Sequence, residues 1–164
     1  CCEKTTIEKK IYKILKEKGY KVEHLDGDIV RKDLTSDLGF SKEDRDENLK
    51  RVTFVAKLLT RNDVIVLATF VSPYRKRSQK SREEIGNFVE IYVKCSVQEC
   101  KRRDVKGMYK KAIAGKIKNF TGVDDPYEEP RSPDLVIDSE NETVDESVSK
   151  VLKKLKDLDY IQNL

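Results

Sequence analysis

The stretch Val64-Ile65-Val66-Leu67-Ala68-Thr69-Phe70-Val71 is the most continuously apolar run in the chain. It lacks the alternation of a strand with one wet face. Such a run predicts a strand buried on both faces, as in a parallel sheet whose crossover helices cover both sides. It stops at Ser72-Pro73-Tyr74-Arg75. Polar groups therefore gather at the strand's carboxyl end, the rim where open α/β sheets bind ligands.

Other segments repeat this logic. Lys21 to Leu25, Phe88 to Cys95 and Leu135-Val136-Ile137 read as further strands. Ile7, Ile11, Ile14 and Leu15 lie at helical spacing, and that helix stops at Lys18-Gly19. Ser41 with Asp44 forms an acidic capping box that opens a helix from about Lys42 to Arg61. Ile29 to Leu34 reads as the start of a helix, and Ser96 caps one from Val97 to about Arg103. A closing amphipathic helix carries Val144, Val148, Val151, Leu152, Leu155 and Leu158. The alternation predicts an α/β fold, a three-layer α/β/α sandwich with a mostly parallel sheet. With 164 residues, one domain over positions 1–164 is expected.

Charged residues make up 39% of the chain but nearly cancel, leaving a net charge of +4. That balance argues against a mainly electrostatic nucleic-acid binder. No apolar run approaches the roughly 18 residues of a membrane span, and nothing at the start resembles a signal peptide, so no membrane partner and a cytoplasmic location are expected. Cys1, Cys2, Cys95 and Cys100 lack a paired zinc spacing, and the single His24 completes no familiar metal set. Free or structural thiols are expected.

The second rim lies at Leu25-Asp26-Gly27-Asp28, where an apolar run gives way to two carboxylates. Taken alone, this is an Asx-type turn with Asp28 as a helix N-cap. Lys4-Thr5-Thr6 opening a helix matches the tail of a phosphate-binding loop, in which Lys reaches the phosphates and a hydroxyl holds magnesium. It equally fits an ordinary amphipathic helix start, because Glu3 stands where that pattern wants glycine. Between Lys101 and Lys118, eight cations face one acid, Asp104, and a stretch of turn formers follows up to Tyr127. A basic lid over about 104–128 fits this composition.

Taken together, Asp26-Gly27-Asp28 with Arg31, Gly39-Phe40-Ser41 through Asn48, Ser72-Pro73-Tyr74-Arg75, Asp104 through Lys111 and Gly115 through Tyr127 resemble adenylylsulfate kinase, in order along the chain. The resemblance implies a phosphate-loop kinase fold, usually dimeric, that uses ATP and Mg²⁺ to phosphorylate the 3′-hydroxyl of adenosine 5′-phosphosulfate. It implies that Asp28 orients or deprotonates the attacking hydroxyl and that Asp26 helps hold magnesium through water, with Thr5 as the other metal-side residue. Lys4, Thr5 and Thr6 would bind ATP. Arg31, Arg45, Asn48 and Asn119 would bind the acceptor, Phe40 and Phe120 would sandwich its adenine, and Val71 and Ser72 would line the same pocket. Ser72 matches the serine described in parts of the family as a phosphoserine intermediate, although direct transfer is favoured. Lys106 would lead the lid cations gathered over the transferring phosphate.

The departure lies at the ATP end, where Cys1-Cys2-Glu3 replaces the strand and glycine-rich loop of the family. Without an initiator Met, a missing natural N-terminus is the expectation. The alternatives are a non-catalytic relative that binds adenylylsulfate beside a degenerate ATP site, and another small-molecule kinase of the same fold.

Overall fold

A computed structural model describes residues 3–104, 106–123 and 125–162. Cys1 and Cys2, whose thiols figured above, lie outside the described residues, as do Val105 and Asp124 of the stretch expected to form a lid, and Asn163 and Leu164. In chain order the elements are α1 (Lys4–Glu17), β1 (Val22–Asp26), α2 (Gly27–Val30), α3 (Lys42–Thr60), β2 (Ile65–Thr69) and α4 (Arg75–Ile85). Then come β3 (Ile91–Lys94), α5 (Val97–Arg103), α6 (Met108–Ile113), β4 (Leu135–Asp138) and α7 (Val144–Asp157).

The strands pair in parallel, β1 with β2 and β3 with β4. Among the described residues no strand joins the two pairs. Both pairs nevertheless share one core. Ile7, Ile11 and Leu15 of α1 pack with Val148, Val151 and Leu155 of α7, together with Val22 and Ile137, and Ile65, Leu67, Ile91 and Val93 lie against them. Burying each such aliphatic side chain stabilises the fold by roughly 1.5–3 kcal/mol. A reciprocal capping box between Thr143 and Glu146 starts α7, and Gly19, at φ 83°, follows α1 in the left-handed region that glycine tolerates.

The register decides which side chains meet α1. Val22, His24 and Asp26 pair with Ile65, Leu67 and Thr69, so all six share one face of the sheet. The α1 helix runs back over that face from the rim, with Thr5 against Asp26 and the buried Glu8 carboxylate 3.0 Å from His24 Nδ1. Val66 and Ala68 point the other way, where α3 packs on β2 and α4 packs on α3.

Several boundaries depart from expectation. The β2 strand is only half-buried and Ala68 is exposed, because α3 covers the far face incompletely. The helix expected from Ile29 shrinks to the single turn of α2, followed by turns through Asp37. Ser41 does cap α3 through the Asp44 amide, but the Asp44 carboxylate accepts from the Gly39 amide instead of closing a box.

Candidate active site

Asp26 is the junction of the rim. It ends β1 and caps α2, accepting from the Asp28 amide at 2.9 Å, the Thr69 hydroxyl at 3.1 Å and the Thr5 hydroxyl at 3.3 Å. Asp26, rather than Asp28, is therefore the N-cap. Asp26 is 8% exposed. Burial by itself pushes its pKa up, but the Asp28 amide, the two threonine hydroxyls and the Ile29 amide together hold it below the ordinary aspartate value. Three elements, α1, β1 and β2, thus converge on one ionised group. Gly27 sits where the strand ends meet, and a Cβ there would lie 3.4 Å from the Phe70 ring and 3.5 Å from the Thr69 carbonyl oxygen.

Released from capping, the Asp28 side chain is 70% exposed at the rim and pairs with Lys106, between α5 and α6. Asp104, the one acid in the basic run, accepts from the Tyr109 and Lys110 amides in the first turn of α6, whose N-cap is Gly107. Burial tends to raise its pKa and those amides lower it, with the net shift downward.

Arg45 ties the two candidate adenine-binding aromatics together. Its Nε donates to the Phe40 carbonyl at 3.0 Å, its Nη1 to the Thr121 hydroxyl at 2.6 Å, and its Nη2 to the Asn119 carbonyl. The Arg31 guanidinium lies 4.3 Å from the Phe40 ring centroid and donates to the Gly39 carbonyl at 2.8 Å. Phe120 meets Tyr109 edge-on with centroids 4.9 Å apart. Asn119 is left-handed at φ 55°, which turns the chain sharply before Phe120.

Other expected residues take quieter positions. Asn48 is 4% exposed and accepts from the buried Thr35 hydroxyl at 2.7 Å, which anchors the loop before α3. Val71 is exposed beyond β2, and the Ser72 hydroxyl pairs with that of Ser78 at 2.9 Å. Lys4 and Thr6 open α1, whose N-cap Glu3 is left-handed at φ 50° and offers no side-chain cap. Thr5 and Asp26 place two oxygens side by side at that helix start, a donor set that suits a hard, partly hydrated cation. Among the described residues no cluster of three His, Cys, Asp or Glu side chains is close enough to hold a metal by itself. The groove between α3 and α4, lined by Asp46, Lys50, Arg77, Lys80, Glu83 and Glu84, draws on none of these rim residues.

Sequence reading missed the tie between Tyr74 and Asp125, a hydroxyl-to-carboxylate contact of 3.2 Å across 51 positions. The only signal was the tyrosine's place at a strand's polar end.

A parallel α/β fold with an ionised acid beside a helix-start threonine, and a second acid at the rim paired with a lysine of the basic run, fits a phosphoryl-transfer enzyme of the phosphate-loop kinase class. A family profile described as adenylylsulphate kinase matches residues 1–138. The adenylyl-sulfate kinase of Halothermothrix orenii is 58% identical over 158 residues, covering 96% of this chain and 85% of that protein. The one from Picosynechococcus sp. is 55% identical over 158 residues, covering 96% and 89%. The structure of the Mycobacterium tuberculosis APS kinase in complex with AMPPNP and APS superposes with a TM-score of 0.90 at 38% identity, covering 94% of this chain and 91% of that one. The chain belongs to the adenylylsulfate kinase family. Its reaction is the ATP-dependent phosphorylation of adenylylsulfate, and these likenesses lend no support to a non-catalytic relative.

Proposed function

We propose that the rim around Asp28 is where the γ-phosphoryl group of ATP passes directly to the 3′-hydroxyl of adenosine 5′-phosphosulfate. The observation that carries this reading is the pairing of exposed Asp28 with Lys106, a carboxylate and a lid cation held at one point of the rim. In this state the two neutralise each other. When substrates enter, Asp28 turns to the ribose hydroxyl and holds or accepts its proton, while Lys106 moves to the oxygens of the transferring phosphoryl group. The new bond forms between the 3′-oxygen and phosphorus as the bond to ADP breaks, and the proton leaves through Asp28 to solvent.

Thr5 and Asp26 are the residues that would hold Mg²⁺, which when bound neutralises charge on the ATP phosphates. Lys4, Thr5 and Thr6 receive those phosphates at the start of α1. Arg45 and Arg31 hold the acceptor end, with Phe40 and Phe120 on the adenine, and Asn48, Val71, Ser72 and Asn119 complete the wall. Stacking on two aromatics contributes about 1–3 kcal/mol per ring, by analogy with bases on protein aromatics. A lid over 104–128 excludes water from the transfer. No helix among the described residues is long and apolar enough to cross a membrane; we place the reaction in the cytoplasm and expect a homodimer.

Incubation of the chain with ATP, Mg²⁺ and adenylylsulfate tests the reading. The expected product is 3′-phosphoadenylyl sulfate with one ADP formed per turnover. Transfer to nucleoside monophosphates in its place contradicts the assignment of the acceptor.

A further inference from the structure

The loop after β2 grips the returning limb of the lid. The Tyr74 hydroxyl donates to the Asp125 carboxylate at 3.2 and 3.5 Å. Pro73 offers its carbonyl to the Glu128 amide at 2.9 Å, while the Arg75 amide donates to the Glu128 carboxylate at 2.9 Å and its Nε to the Glu129 carbonyl at 2.5 Å. Pro73, Tyr74 and Arg75, which lead from β2 into α4, thus hold the returning limb at Asp125, Glu128 and Glu129.

Asp125 transmits that grip to Phe120. Its amide donates to the Phe120 carbonyl at 3.2 Å, its carbonyl accepts from the Gly122 amide at 2.9 Å, and it bridges to Thr121. A hold on the Asp125 carboxylate is therefore a hold on the turn that presents the Phe120 ring. Arg45 grips the same turn through Asn119 and Thr121 from α3. Two anchors from different elements fix an orientation, whereas one alone leaves a hinge. Lys42 lies 5.3 Å from the Tyr74 ring centroid, so the ring has packing that does not depend on the hydroxyl.

We propose that Tyr74 is a positioning residue, whose hydroxyl acts through Asp125 to hold the Phe120 ring in place over the acceptor's nucleoside. The consequence is specific to binding. Losing the hydroxyl weakens the grip on adenylylsulfate and leaves the phosphoryl step, which belongs to Asp28 and Lys106, nearly untouched. The inference rests on the adenylylsulfate reading of this rim.

Tyr74→Phe keeps the ring and removes the donor. Amide exchange followed by mass spectrometry is expected to run about tenfold faster across 119–128 in this variant, with β1 and β2 unchanged, the loss of roughly one charge-assisted hydrogen bond. KM for adenylylsulfate is expected to rise about tenfold with kcat within about twofold. Asp125→Ala is expected to match it, and the double variant to add nothing further. Wild-type exchange over 119–128 in Tyr74→Phe, or a fall in kcat at unchanged KM, overturns the proposal. Exchange needs no turnover, so if the wild-type chain proves unable to phosphorylate adenylylsulfate, the tether still stands or falls on the exchange result.

Discussion

Arg45 Nε donates to the Phe40 carbonyl at 3.0 Å while the far end of the same guanidinium holds Asn119 and Thr121 on either side of Phe120. One planar fork thus sets the spacing of two aromatic-bearing segments that lie far apart in sequence. Lysine cannot reproduce this, because a single ammonium lacks the fixed geometry of several N–H donors. Arg45→Lys is expected to raise KM for adenylylsulfate by about 10–100-fold, the loss of one or two charge-assisted hydrogen bonds. Steady-state kinetics at saturating ATP measures it.

Glu3 is left-handed at φ 50° at the N-cap of α1 and lies 3.5 Å from Arg103 Nη1. Glycine suits that backbone, but the pair it gives up is mostly buried on the Arg103 side, so its loss offsets part of the gain. Glu3→Gly is expected to leave stability level or raise it by about 1 kcal/mol, because relief of strain of about 1–3 kcal/mol is partly offset by the unfolded-state entropy of glycine. It also removes a negative charge beside the expected phosphates, so KM for ATP is expected to fall. Thermal melts and ATP titrations check the two effects separately.

Asp26 gives a pH dependence with a definite sign. Its folded pKa lies below the usual aspartate value of about 3.9, so its contribution is fully present above that pH and lost as pH falls through the folded value. Urea unfolding of the wild type is expected to weaken below about pH 4. Asp26→Asn is expected to be less stable at pH 7 and to lose less than the wild type between pH 5 and pH 3, both limits taken roughly from that reference value. Equal slopes in the two proteins would show that other carboxylates carry the effect.

Leu15 is fully buried between α1 and α7. Leu15→Ala is expected to cost about 2–5 kcal/mol in chemical unfolding through lost burial and the cavity left behind.

What could be read in advance followed from locality. Apolar periodicity marks α1 and α7, a capping Ser41 three residues before Asp44 marks α3, and an unbroken apolar run marks β2; each signal lies within one element. The choice between Asp26 and Asp28 as cap was not local, since either carboxylate in Asp-Gly-Asp can accept an amide. It was decided by how far β1 continues beside β2, which brings Thr69 to Asp26. Pairing of the strands as two separate couples, half-burial of β2 and the bond between Tyr74 and Asp125 all depend on contacts across dozens of residues. The pairing of buried Glu8 with half-buried His24 and of buried Thr35 with Asn48 was hidden for another reason. Polar residues read as solvent-facing until the partner that allows them inside is known.

The central claim is that Asp28 serves the acceptor hydroxyl at this rim. Turnover of ATP and adenylylsulfate by Asp28→Asn, beside binding of adenylylsulfate and a thermal melt, tests it most directly. We predict a loss of product formation of about 100-fold or more, as general-base residues contribute, with binding within a few-fold and an unchanged melt. A variant that folds, binds and turns over at close to the wild-type rate would contradict it.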